Sequence, residues 1–169
     1  MKNFIINIAF VFLAVIFYAC MASEATYYES GYRKLQNKDY NGAIIDFTKA
    51  IQMSPYYTEG YLGRGSAYLY IKSYDNALSD FSMVISIDPS DPRPYYNRGL
   101  VYIELKDYDK AIDDYSKTVI LNPKDGEAFY NRGLAFALIN NFEAACSDFK
   151  SARELGIKEA ESMFLQYCK

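Results

Sequence analysis

The chain predicts an all-α fold, an α-solenoid of four helix-turn-helix hairpins closed by a C-terminal capping helix and preceded by a separate N-terminal helical segment. Three observations carry that prediction. Pro55, Pro89 and Pro123 stand 34 residues apart, a period too long for a heptad and right for a pair of short helices. In three of the periods an aromatic residue, a glycine and a second aromatic follow at steps of four and three, the spacing of one helix face. The pattern runs from residue 24 to residue 159 without an insertion. Such a stack presents a surface instead of enclosing a reaction centre, so function is to be sought on its concave face.

Residues 1–22 do not belong to the repeat. Lys2 precedes an apolar run from Phe4 to Ala19, broken by Asn7 and ending at Ala19-Cys20-Met21-Ala22-Ser23. A charged start, a short apolar middle and a small-residue end make an export signal of bacterial type. At about 16 residues the run is short for a membrane span. Phe17-Tyr18-Ala19-Cys20 resembles a relaxed lipobox, in which a bacterial lipoprotein's cysteine is acylated and becomes the new N-terminus. That resemblance implies lipidation at Cys20 and a tether in the cell envelope, facing the periplasm or the outside. Two alternatives stay open: a cut after Ala22, which releases a soluble periplasmic or secreted protein, and an uncut single-span anchor.

The units follow in order. Residues 24–57 carry Tyr27, Gly31, Tyr40, Ala43, Phe47, Ala50 and Pro55. Residues 58–91 repeat this with Tyr61, Gly65, Tyr68, Tyr74, Ala77, Phe81, Val84 and Pro89. In residues 92–125, Tyr95, Gly99 and Tyr102 mark the first helix, and Ala111, Tyr115 and Thr118 the second. Lys106-Asp107-Tyr108 is the polar turn between them. Asn122-Pro123 ends the pair, because proline cannot continue the hydrogen-bond ladder and disfavours helix in the residue before it. Residues 126–159 have Phe129, Gly133, Phe136, Phe142, Ala145, Phe149 and Ala152, with Ile157 in place of the proline. First-turn acids Asp75, Asp109 and Glu143 suit the positive ends of second helices. After a break at Gly156, residues 160–169 read as one more helix, placed to cover the last unit's apolar face.

This skeleton resembles the tetratricopeptide repeat (TPR) family over essentially the whole mature chain. The resemblance implies paired helices whose first members line the inside of a curve. Gly31, Gly65, Gly99 and Gly133 fall mid-helix, where glycine is about 1 kcal/mol worse than alanine. The expectation is that they let two helices approach closely, with Ala43, Ala77, Ala111 and Ala145 opposite. The 18 tyrosines and 11 phenylalanines are then wedge fillers between helices.

Composition excludes several functions. There is no histidine, and Cys20, Cys146 and Cys168 lack paired-ligand spacing, so no metal site and no cofactor are expected. No nucleophile elbow or phosphate-binding glycine loop occurs, and Asp113-Asp114 point about 100° apart on a helix, so the chain is not read as an enzyme. With 21 acidic and 18 basic residues and no basic run, nucleic acid is not an expected partner. Cys146 and Cys168 lie on neighbouring helices and make either a disulfide that staples the end of the stack or two buried thiols.

Two sets of residues remain as candidates. Arg64, Arg98 and Arg132 recur just before the close-packing glycines, and Asp46, Asp80, Asp114 and Asp148 recur one residue before the second-helix aromatic. They suggest a ladder of structural ion pairs. Arg98 could pair with Asp114 in its own unit or backwards with Asp80, and either choice leaves one aspartate over. The second set faces inward if the resemblance holds: Tyr96, Asn97, Leu100, Ile103, Tyr130, Asn131 and Leu134, with Ala137 alongside. In a glycosyltransferase of this family an asparagine ladder holds the backbone of an extended guest, and Asn97 and Asn131 would form a short one, Glu29 and Gly63 being the equivalents in the first two units. The implied partner is another protein, as an extended peptide or a helix, gripped in a groove biased to the third and fourth units. The membrane enters only through the N-terminal tether. The alternative is a structural protein that self-associates through its ends or convex face. A two-carboxylate clamp for acidic C-termini needs several basic groove residues, and only Arg93 is well placed.

Overall fold

The computed structural model describes residues 23–168, which form nine α-helices and no strand. They are α1 (Glu24–Gln36), α2 (Tyr40–Met53), α3 (Thr58–Tyr70), α4 (Tyr74–Ile87), α5 (Pro92–Glu104), α6 (Tyr108–Leu121), α7 (Gly126–Leu138), α8 (Phe142–Glu154) and α9 (Glu159–Tyr167). The expected signal or anchor in residues 1–22, with Cys20, lies outside the described residues.

Helix starts follow from local chemistry. The Asp39, Asp107 and Asn141 side chains accept the amides of Gly42, Lys110 and Ala144, so most second helices open on a side-chain cap. One residue before each cap the backbone turns left-handed, at Lys38 (φ 62°), Lys72 (59°), Lys106 (60°) and Asn140 (62°). A single αL residue lets a helix end and the next begin within three residues. Pro92 opens α5 and Asp91 caps it by accepting the Arg93 amide.

Within each pair the helices pack on Ala43, Ala77, Ala111 and Ala145 and on the rings of Phe47, Phe81, Tyr115 and Phe149, all fully buried. The nearest neighbours of the glycines are these rings. A Cβ on Gly31, Gly65, Gly99 or Gly133 would lie 2.9, 2.7, 2.7 or 2.8 Å from the ring of Phe47, Phe81, Tyr115 or Phe149. Each glycine is thus a slot for a ring 16 residues on, and any side chain there must displace an aromatic from the core. Removing one such ring costs about 3–5 kcal/mol, which explains a mid-helix glycine worth only about 1.

Gly156, at φ +93°, makes the break before α9, which packs on α8. Cys146 of α8 and Cys168, just after α9, form a disulfide with Cα atoms 5.1 Å apart. Tyr167, one residue earlier, lays its ring against Phe142 and Phe149.

Candidate functional site

The first helices of successive pairs touch one another, α1 with α3 and α3 with α5, which puts them on the inner side of the stack. The inner face carries three hollows that share walls. The first, about 320 Å³, is lined by Tyr28, Tyr32, Leu62, Gly63, Tyr96 and Asn97 among others. A second, about 380 Å³, continues from Asn97 over Leu100 and Ile103 to Tyr70. The third, about 260 Å³, runs from Leu100 and Ile103 to Asn131, Leu134 and Tyr167, with Tyr115 beneath. Shared walls make them one strip along α1, α3, α5 and α7.

Six of the seven groove residues expected from sequence line this strip: Tyr96, Asn97, Leu100, Ile103, Asn131 and Leu134. Tyr130 instead packs its ring 6.0 Å from that of Phe149. The strip is not confined to the third and fourth units. It reaches back to Tyr28 and Tyr32 on α1, and Gly63 provides the depth. A Cβ on Gly63 would lie 2.5 Å from the Phe47 ring, so this position has to be bare and leaves a recess over a buried aromatic. The signal was present as a glycine where later units have asparagine.

The two asparagines differ. Asn131 donates from Nδ2 to the Tyr96 hydroxyl at 2.9 Å, tying α7 to α5, whereas the Asn97 side chain makes no hydrogen bond among the described residues. Charge around the first hollow is acidic. Burial, then the charges of Glu127 and Asp125, push the Tyr96 hydroxyl up to about 12. Burial, then Glu59 and Glu29, push Tyr28 up as well. Arg93 is the one guanidinium in this hollow and is already held, by Asp91 at 2.8 Å and Glu59 at 2.9 Å. A guest carboxylate would have to compete with these two for its nitrogens.

The arginine ladder lies behind the strip. Arg64, Arg98 and Arg132 each make two hydrogen bonds, of 2.7 to 2.8 Å, to Asp80, Asp114 and Asp148 of the same unit. Their third nitrogen, Nη1, donates backwards to Thr48, Ser82 and Ser116 of the preceding unit at 3.2, 3.1 and 3.1 Å. Asp46 is the aspartate left over. It accepts from Ser30 at 2.6 Å and pairs with Lys34 at 2.7 Å. Burial alone would raise its carboxyl, but these two donors outweigh it and hold the group below its ordinary range. Every member of the ladder therefore has a structural partner. No group of three or more acidic, cysteine or histidine side chains fit to hold a metal occurs among the described residues.

Comparisons with known proteins agree with this architecture. Residues 25–57 and 92–125 match the family described as tetratricopeptide repeat, and residues 65–106 the family described as TPR repeat. Among curated proteins none matches the chain. A crystal structure of MamA superposes with a TM-score of 0.76 at 27% identity, covering 88% of this chain and 86% of that one. MamA from Desulfovibrio magneticus RS-1, residues 41 to the end, gives 0.73 at 26%, with 79% and 75% covered. The first TPR domain of Spaghetti (RPAP3), bound to the HSP90 peptide SRMEEVD, shares the fold at 0.68 and 24%, with 70% and 94% covered. Matched over more than half of its length and built from the same stacked helix pairs, the chain belongs to the tetratricopeptide repeat family.

Proposed function

We propose that this chain is a protein–protein interaction scaffold of a bacterial cell envelope, which holds a peptide segment or helix of a partner along its concave strip. One observation supports this above the rest. The strip is continuous, walled by Tyr, Leu and Ile side chains, and offers in Asn97 an amide that bonds to none of the described residues. A contiguous apolar face of this kind marks a binding surface, and an amide serves a guest backbone because it both donates and accepts. The guest is apolar and neutral or basic. An acidic peptide like that held by the RPAP3 domain would meet Glu59, Asp125 and an Arg93 already paired.

The test is capture of partners from native envelopes by wild type and by the Asn97→Ala/Asn131→Ala variant. Loss of a partner with an unchanged oligomeric state is expected; equal capture by both removes the groove reading. Self-association through the outer face is the second reading, favoured by Ile45 and Ile120, which are 56% and 71% exposed on α2 and α6. It predicts instead that the partner found is the chain itself and that capture survives the asparagine changes.

Placement in the envelope rests on residues 1–22, with acylation at Cys20 as the tether and no other contact with membrane. Intact mass of the protein extracted from cells tests this. A chain beginning at an acylated Cys20 is expected; a chain beginning at Ser23, or one that keeps Met1, overturns the lipid tether.

A further inference from the structure

We propose that the hydroxyl of Tyr115 is a binding group, donating a hydrogen bond to a main-chain carbonyl of a guest whose aliphatic side chain fills the third hollow. This rests on the groove reading and assigns it a donor. The ring at this place in the other three units is Phe47, Phe81 or Phe149, each fully buried like Tyr115. Phenylalanine therefore satisfies the packing. The Tyr115 oxygen is buried and, among the described residues, has no hydrogen-bond partner. A buried donor without an acceptor destabilises the fold that contains it. No described residue uses this oxygen, so its use lies in a complex.

Its surroundings name the guest. Tyr115 lines the hollow of about 260 Å³ whose walls are Leu100, Ile103, Leu134 and their neighbours, apolar side chains that suit an aliphatic group. Asn131 lines the same hollow, and its Oδ1 accepts nothing from the described residues, Nδ2 being given to Tyr96. The repeat register sets the direction of the hydroxyl. In the first unit the tip of the Phe47 ring points at Gly63, 16 residues on; the same step from Tyr115 leads to Asn131. One donor and one acceptor at the end of an apolar recess complement the C=O and N–H of a peptide group. The hydroxyl oxygen has almost no accessible surface, so the guest reaches it by shifting the side chains around it.

The test uses Tyr115→Phe and two probes: N-acetyl-leucine N-methylamide, which carries a peptide group on each side of an aliphatic side chain, and 2-methylpentane, which carries neither group. Phenylalanine stands at this place in three units, so the variant folds. Its melting temperature is expected to rise by about 2–4 °C, since a buried orphan is removed. Its affinity for the amide should fall about tenfold while that for the hydrocarbon stays the same. Equal amide affinity in both proteins, an equal fall for both probes, or a lower melting temperature would each overturn the proposal. So would a wild-type protein that binds the hydrocarbon and not the amide. None of these outcomes touches partner capture through Asn97, so the two ideas fail separately.

Discussion

Arg98 joins three constraints in one side chain. Its planar fork bonds both oxygens of Asp114 at 2.8 Å, its remaining nitrogen reaches Ser82 of the preceding unit at 3.1 Å, and its face lies 5.9 Å from the Tyr95 ring centre. Only a guanidinium offers that geometry, because an ammonium cannot bond a carboxylate with two parallel hydrogens. Asp114 is buried, so its loss of Arg98 would leave a charge in the core. Arg98→Ala is expected to lower unfolding free energy by about 3 kcal/mol, the lower end for breaking a buried pair, since the guanidinium is about one-fifth exposed. The double variant Arg98→Ala/Asp114→Asn should recover part of this in urea unfolding, as no charge is then stranded. If the two losses simply add, the pair is not an energetic unit. The residue types were legible in sequence, but not the pairing direction. The direction depends on the reach of a fork across one hairpin, and spacing alone does not fix that.

At the scale of elements, every helix pair was readable because three signals coincide: a helical aromatic period, a polar turn and a proline or its substitute. What the glycines face was not readable. Alanines and rings both lie on the second helix, and choosing between them needs the relative rotation of two helices. The structure puts a ring nearest each of these glycines, and this adds to what the glycines mean. Gly99 exists for Tyr115, and Gly63 exists for Phe47 from the unit before. The second relation is the one that opens the concave face, and it explains why the site extends over α1 and α3 although the asparagine pattern pointed to α5 and α7. The capping helix shows the reverse case. Its position was legible from the need to cover the last apolar face. That it also lends Tyr167 to a hollow of the inner strip was not, since the disulfide at Cys168 fixes its end there.

The whole molecule holds together by neighbour contacts, as stacked repeats do, so its cooperativity depends on how strongly each unit grips the next. Two kinds of grip are present. One is apolar, with Ala67 and Val101 fully buried on first helices against residues of the preceding unit. The other is polar and periodic: Thr48, Ser82 and Ser116 each receive Nη1 of the arginine in the following unit. The terminal units mark the ends of this chain of bonds. Ser30 stands in the first unit where later ones have arginine, and Lys150 stands in the last where earlier ones have a hydroxyl. The polar contacts cross unit boundaries while the Arg–Asp pairs do not, which allows the two to be separated. Thr48→Ala/Ser82→Ala/Ser116→Ala leaves every unit's own ion pair intact and removes about 1 kcal/mol per boundary. Units that are less firmly coupled should unfold less cooperatively. The expected result in urea is a lower midpoint together with a shallower slope, and earlier hydrogen exchange in the outer units than in α4 and α5. A lower midpoint with an unchanged slope would place the coupling in the apolar contacts, leaving the arginine ladder to fix register within each hairpin and nothing beyond it.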